Sequence, residues 1–211
     1  MRRTRWTAAL FLIPVVLAAC ASGPQHMVVP DYKDRLPKTI AVLPVLNETV
    51  NLKAPDVFRP IVSGKVSSKG YHVPSPAATD AKLLARDIRE SGQVNSLTPQ
   101  ELATLLGVDA LLYTTITEFS TTYLLAYASM TVAARFELRD ARTGEKLWET
   151  EHRVKETKTA LDTKTAGDIL NFAVAQSYTP YCQKVVDVGF ATMPNAAGSA
   201  APAQKGCLAP G

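Results

Sequence analysis

Histidine and cysteine are scarce in this chain, three of each in 211 residues. A metal centre needs such ligands clustered at set spacings. His26, His72 and His152 stand far apart, so neither a metal nor another bound cofactor is expected. The motifs of nucleophilic catalysis and phosphate binding are missing too. There is no Gly-x-Ser-x-Gly, Ser-x-x-Lys, phosphate loop, Gly-x-Gly-x-x-Gly, Cys-x-x-Cys or His-Glu-x-x-His. Asp87 and Glu90 form a carboxylate pair on a helical stretch and read as a solvated face. These absences point away from an enzyme. An excess of charge is also absent once position is considered. Of 23 Lys and Arg, three (Arg2, Arg3 and Arg5) precede Cys20, whereas all 19 acidic residues follow it. The remaining chain is nearly neutral, which removes the electrostatic footprint of a nucleic-acid binder. Finally, no apolar run reaches the ~20 residues of a spanning helix.

The apolar run that does exist is short and informative. Met1 to Arg5 is basic, Ala8 to Ala19 is apolar, and small residues then precede Cys20. That is the layout of a secretory signal. Ending on Leu17-Ala18-Ala19-Cys20, it resembles the lipobox of bacterial lipoproteins. The resemblance implies cleavage before Cys20 and a covalent N-acyl diacylglycerol group, palmitate included, on that cysteine. The plainer alternative is an ordinary signal peptide cleaved near Ala19, with Cys20 left as a thiol. Ala21 stands where an aspartate commonly retains such proteins at the inner membrane, which implies the outer membrane, periplasmic face. Cys182 and Cys207 then form a candidate pair in an oxidising compartment. A bridge would close a loop of about 25 residues, contributing roughly 3 kcal/mol. The other reading leaves Cys182 a buried free thiol.

Composition divides the chain into four parts. Residues 1–19 are the signal. Residues 20–37, with Gly23, Pro24, Pro30 and Pro37, read as a lipid-anchored tether. As a coil it would span about 20–25 Å. Residues 38–193 form the domain, and 194–211 an Ala/Pro/Gly-rich tail.

Within the domain, Lys38 to Val45 reads as a buried strand. Val57, Phe58, Ile61, Val62 and Val66 recur at helical spacing, with Asp56 as a cap, Pro60 near the first turn and Gly70 at the end. Tyr71-His72-Val73 is a short strand stopped by Pro74 and Pro76, and Leu83 to Ile88 a weaker helix. Thr98-Pro99-Gln100-Glu101 is a capping box, which predicts a helix from Pro99 to Leu106 stopped by Gly107. Asp109 to Phe119 reads as a central strand. Met130 to Leu138 alternates with period two, one face buried and the other wet. A turn at Asp140–Gly144 leads to a partner strand with Trp148, Thr150, His152 and Val154 on one face. Ala166 to Val174 and the segment after Thr179-Pro180 read as helices. This order predicts an α/β two-layer sandwich: a mixed sheet with a C-terminal antiparallel meander, and helices mainly on one face.

Four stretches together carry a resemblance: Ala41 to Thr49, Lys69 to Val73, Leu106 to Tyr113, and Asp140 to Trp148. Their order resembles the bacterial lipoproteins of the Neisseria type. More distantly it is similar to the secretion lipoprotein CsgG, the synthase activator LpoB and the N-terminal domain of TolB. The resemblance covers about Lys38 to Glu156. It implies a non-enzymatic outer-membrane protein that acts through an envelope protein partner in transport, secretion or surface assembly. A CsgG-like lipoprotein is the partner it suggests, and self-association stays open. LpoB-like activation of peptidoglycan synthases is the alternative, and a periplasmic enzyme with an unrecognised site the third. The short tether favours the first, because an activator must reach across the periplasm. One segment is out of character for a hairpin tip: Tyr123, Leu124, Leu125 and Tyr127. It reads either as strand packed under a helix or as an apolar rim for a partner or the membrane.

Overall fold

The computed structural model describes residues 24–124, 127–159 and 178–197. Six strands form one mixed sheet: β1 (Gln25–Val28), β2 (Ile40–Val42), β3 (Leu46–Asn47), β4 (Ala110–Leu124), β5 (Tyr127–Asp140) and β6 (Lys146–Thr159). Their order is β1-β6-β5-β4-β2, with β3 also on β4. The long strands β4, β5 and β6 make the expected antiparallel meander, and β2 and β3 add to it in parallel. Five helices are described: α1 (Ala54–Ser68), α2 (Pro76–Leu84), α3 (Ser91–Val94), α4 (Pro99–Leu106) and α5 (Thr179–Phe190).

Period-two alternation sends Ile40, Val42, Leu112, Ile116, Phe136, Leu138 and Trp148 into one core. Phe58, Val62 and Val66 of α1 and Cys182, Val185, Val186 and Phe190 of α5 close it from above. Gly189 allows the close approach of α5, since a Cβ there would meet Thr150 at 3.3 Å and Phe136 at 3.5 Å. A smaller second core lies on the other face. There Ala41, Leu43 and Leu111 meet Leu83, Val94, Leu102 and Leu106 of α2, α3 and α4. The sandwich is thus two-layered over the meander, and helices cover the parallel end from the second side as well.

The capping box forms as read. Glu101 N–H donates to Thr98 Oγ1 at 3.3 Å, Thr98 N–H donates to the Glu101 carboxylate at 2.8 Å, and Gly107 ends α4 at φ +71°. The Thr98 N–H and the Thr98 hydroxyl, both donating to the Glu101 carboxylate, hold it below the usual carboxylate range. Thr98→Ala is expected to cost about 1 kcal/mol in chemical denaturation.

Several expectations are corrected. The tether is the largest. Gln25 to Val28 pairs antiparallel with β6, in register with Glu151 to Trp148. Tyr32 is buried, and its hydroxyl meets that of Tyr71 at 2.9 Å. Residues 25–37 therefore belong to the domain. The tail also starts later, because Tyr71 donates to the Pro194 carbonyl and Lys69 to that of Met193. Pro60 lies inside α1 rather than in its first turn, where Pro55 stands instead. Pro76 opens α2 behind a Ser75 cap, and Tyr71 to Val73 makes only an isolated bridge from His72 to Thr39. Thr131 and Ala133, read as wet, are buried. Ala133 sits in register between Glu118 and Arg153, whose 2.7 Å ion pair crosses above it. Among the described residues Cys182 is a free thiol, buried in the core, and burial pushes its pKa up to about 12. Cys207 and the helix read at 166–174 lie outside the described residues.

Candidate functional site

The proposed acyl site, Cys20, and Leu17, Ala18 and Ala19 before it also lie outside the described residues. What the structure adds is the distance to the fold. Strand β1 begins at Gln25, five residues after Cys20. At 3.3–3.6 Å per extended residue, that leash reaches at most about 18 Å.

The wet face of the sheet is charged and internally paired. Arg135 meets Glu151 at 3.2 Å, Arg153 meets Glu118 at 2.7 Å, and Lys146 meets Glu149 at 2.6 Å. The Arg153 guanidinium holds the Glu118 carboxyl below its ordinary range. Held this way, Glu118 stays ionised and is a poor general acid. Asp87 is likewise taken by Arg89 at 2.9 Å. Burial lowers the pKa of His152, which sits half-buried on β6, while His26 and His72 are exposed. Among the described residues, no group of three or more His, Cys, Asp or Glu is placed to hold a metal.

A second charged cluster fastens the N-terminal segment. Arg35 reaches Glu145 at 2.7 Å, Thr143 at 3.0 Å and Asp140 at 3.4 Å. The Asp140 side chain is only 4% exposed and accepts from the N–H groups of Arg142 and Thr143. Burial would raise its pKa, but those N–H groups and Arg35 outweigh it, and the pKa is lowered. A depressed carboxyl contributes stability fully above its unfolded pKa, near 3.8, and loses it as pH falls through the folded value. Asp140→Asn is therefore expected to cost roughly 1–3 kcal/mol at neutral pH. In thermal melts, the gap to wild type should close as the solution is acidified below that range.

Among the described residues, the turn between β3 and α1 stands out for its exposed apolar side chains. Val50 is 96% exposed and Leu52 is 87% exposed. The backbone under them is braced. Asn47 Oδ1 accepts from Thr49 N–H at 3.2 Å and from its hydroxyl at 2.8 Å, while Asn47 Nδ2 donates to the Asn51 carbonyl at 2.9 Å. Asn51 Oδ1 accepts from Lys53 N–H at 3.0 Å, and Glu48 N–H donates to the Ile116 carbonyl at 3.0 Å. Two apolar side chains are thus held in water by a preorganised turn. Sequence reasoning missed them. Asn47-Glu48-Thr49 matches a glycosylation sequon, and here the Asn47 and Thr49 side chains serve the brace. Two apolar residues on either side of one asparagine, Val50-Asn51-Leu52, were the available signal.

The rim residues fall at the far end of the meander. Strands β4 and β5 run to Leu124 and Tyr127, which pair in register, and Tyr123 pairs with Ala128. Leu125 and Ala126 lie outside the described residues.

Comparison with known proteins gives a consistent relationship. The family model described as "Putative lipoprotein GNA1162-like" matches residues 29–206. A Neisseria meningitidis serogroup B protein named "Putative lipoprotein NMB1124/NMB1162" is 26% identical over 145 residues, covering 69% of this chain and 67% of that one. The crystal structure of lipoprotein GNA1162 from Neisseria meningitidis superposes with a TM-score of 0.56 at 26% identity, over 66% of this chain and 97% of that one. Looser likenesses include the PelC dodecamer of Paraburkholderia phytofirmans, with a TM-score of 0.44 at 14% identity over 72% of this chain and 85% of that one. The Escherichia coli LpoB C-terminal domain has a TM-score of 0.41 at 14% identity over 59% of this chain and 93% of that one. Likeness at that level says nothing about what this chain binds.

Proposed function

The chain belongs to the GNA1162-like lipoprotein family, and from that premise we propose that it is a lipid-anchored protein on the periplasmic face of the outer membrane, acting without catalysis by holding an envelope protein partner in transport, secretion or surface assembly. The observation that carries the partner reading is the braced turn with Val50 and Leu52 in solvent. Exposed apolar side chains on a rigid backbone lose little entropy on docking, which is the economy of a preorganised contact. A lipid anchor fits the lipobox, and no described helix is long and apolar enough to cross a membrane. The alternative of a peptidoglycan-synthase activator is weakened, because the leash is shorter than the sequence implied. Five residues before β1 hold the domain within about 18 Å of its anchor point.

The test is a Val50→Ser/Leu52→Ser double variant, with a photo-crosslinking residue at position 53 to record the partner in cells. Both side chains are exposed, so stability should stay within about 0.5 kcal/mol of wild type. The crosslinked adduct seen from the parent chain should disappear. An undiminished adduct from the folded variant would remove the turn from the partner surface.

A further inference from the structure

We infer that the cleft between α2, the carboxyl end of α4 and the start of β2 binds a small carboxylate with a short aliphatic body. The site is independent of the anchor at Cys20 and of the Val50–Leu52 turn. Its floor follows from strand alternation. Ile40 faces the main core and Ala41 the second one, so Thr39 lies on the second face. His72 stands beside Thr39 in a parallel bridge. Its neighbours Tyr71 and Val73 pack on the main core, which leaves His72 on the second face too. Helices α2 and α4 cover that face further along, through Leu83, Leu102 and Leu106. Near the start of β2 they leave a cleft of about 290 Å³, which Thr39, His72, Thr79 and Lys82 line together with Pro74 and Leu106.

Thr79 is the residue that points to a ligand. It is only 2% exposed, and its hydroxyl has no hydrogen-bond partner among the described residues. The sealed and unpartnered side-chain polar atoms of the described residues belong to Arg59, Ser63 and Thr114, so the Thr79 hydroxyl keeps access to the cleft that its residue lines. A nearly buried hydroxyl left unpaired costs stability, and a bound acceptor offsets that cost. Lys82 supplies the charge. Its ammonium donates to the Leu106 carbonyl at 2.6 Å and keeps two further N–H donors. Pro74 and Ala78 bring the amino end of α2, with its partial positive charge, to the same cleft. No Asp or Glu is among the described lining residues. Such a set selects an oxyanion. It holds a single Lys or Arg, which matches a monoanionic carboxylate better than a phosphate dianion. Pro74, Ala78 and Leu106 offer the aliphatic body an apolar wall.

The experiment titrates the isotope-labelled full mature chain, in non-ionic detergent at constant ionic strength, with butyrate, its neutral analogue butyramide, and inorganic phosphate. The amide NMR shifts of Thr39, His72, Thr79 and Gly107 are the readout. The expected result is saturable shifts with butyrate and none with the other two. Thr79→Val keeps the side-chain shape and removes the hydroxyl, and Lys82→Met removes the ammonium. Each is expected to weaken butyrate binding about tenfold, because hydrogen bonds to a charged group are among the stronger ones. Thr79→Ser, which keeps the hydroxyl, should retain most of the affinity. Spectra that match wild type away from the cleft establish that a variant is folded. If Lys82→Met disturbs α4, the two Thr79 variants decide. Butyrate shifts that do not saturate, or butyramide binding as tightly as butyrate, overturn the site. Phosphate binding as tightly as butyrate overturns the carboxylate assignment. Unchanged butyrate affinity in a folded Thr79→Val variant overturns the inference as well.

Discussion

Cys20→Ser is expected to move the protein from the membrane fraction to the soluble fraction, with no palmitate incorporated and with function lost. The reason is arithmetic. One diacylglyceryl group with an added acyl chain supplies about 0.8 kcal/mol per buried methylene, enough for stable anchoring. No described helix is long and apolar enough to cross a membrane in its place. The fold should be untouched, because the nearest described strand, β1, begins at Gln25. Thermal melting of the purified variant should match that of the wild-type domain. Full complementation by the soluble variant would reduce the anchor to an address.

Trp148→Ala is expected to produce the largest loss of stability. Trp148 is fully buried, and its ring lies 5.0 Å from that of Phe190, which in turn meets Phe136 at 5.0 Å edge-on. Its indole N–H donates to Thr192 at 3.0 Å. It therefore joins β6, β5 and α5 at one point. Truncation of a buried Trp costs about 3–5 kcal/mol. In a domain of this size that lowers Tm by about 10 °C or more. Circular dichroism should show it, and Trp148→Phe should recover part of the loss by refilling the ring contacts. A near-neutral result would mean that α5 is not seated as described.

The features legible in the sequence were those fixed by local chemistry. Thr98, Pro99, Glu101 and Gly107 bound α4 with bonds made inside one helix, so their spacing was enough. Gly144 at φ +76° and the Asp140 side chain made the turn readable in the same way. The meander followed from period two. The N-terminal segment was hidden because its cause is remote. Gln25 to Val28 is a strand only because β6 offers an unpaired edge there, and Tyr32 is core only because Tyr71 receives it. Local composition, with Pro24, Pro30 and Pro37, pointed the other way. The burial of Ala133 needed the ion pair between strands on either side of it. Of the proposed functional features, Cys20 was legible as a motif. Val50 and Leu52 were not, since a polar stretch gives no hint of how its side chains are braced. The structure starts the fold at Gln25, so a chain anchored at Cys20 would have a leash of five residues in place of the 18-residue tether read from composition.

The most direct test of this account is the intact mass of the mature N-terminal peptide, taken from protein extracted from cell membranes. The account predicts a peptide beginning at Cys20 and carrying a diacylglyceryl group on sulfur and an acyl group on the amine. A mature chain beginning elsewhere, or a Cys20 with an unmodified thiol, would contradict it.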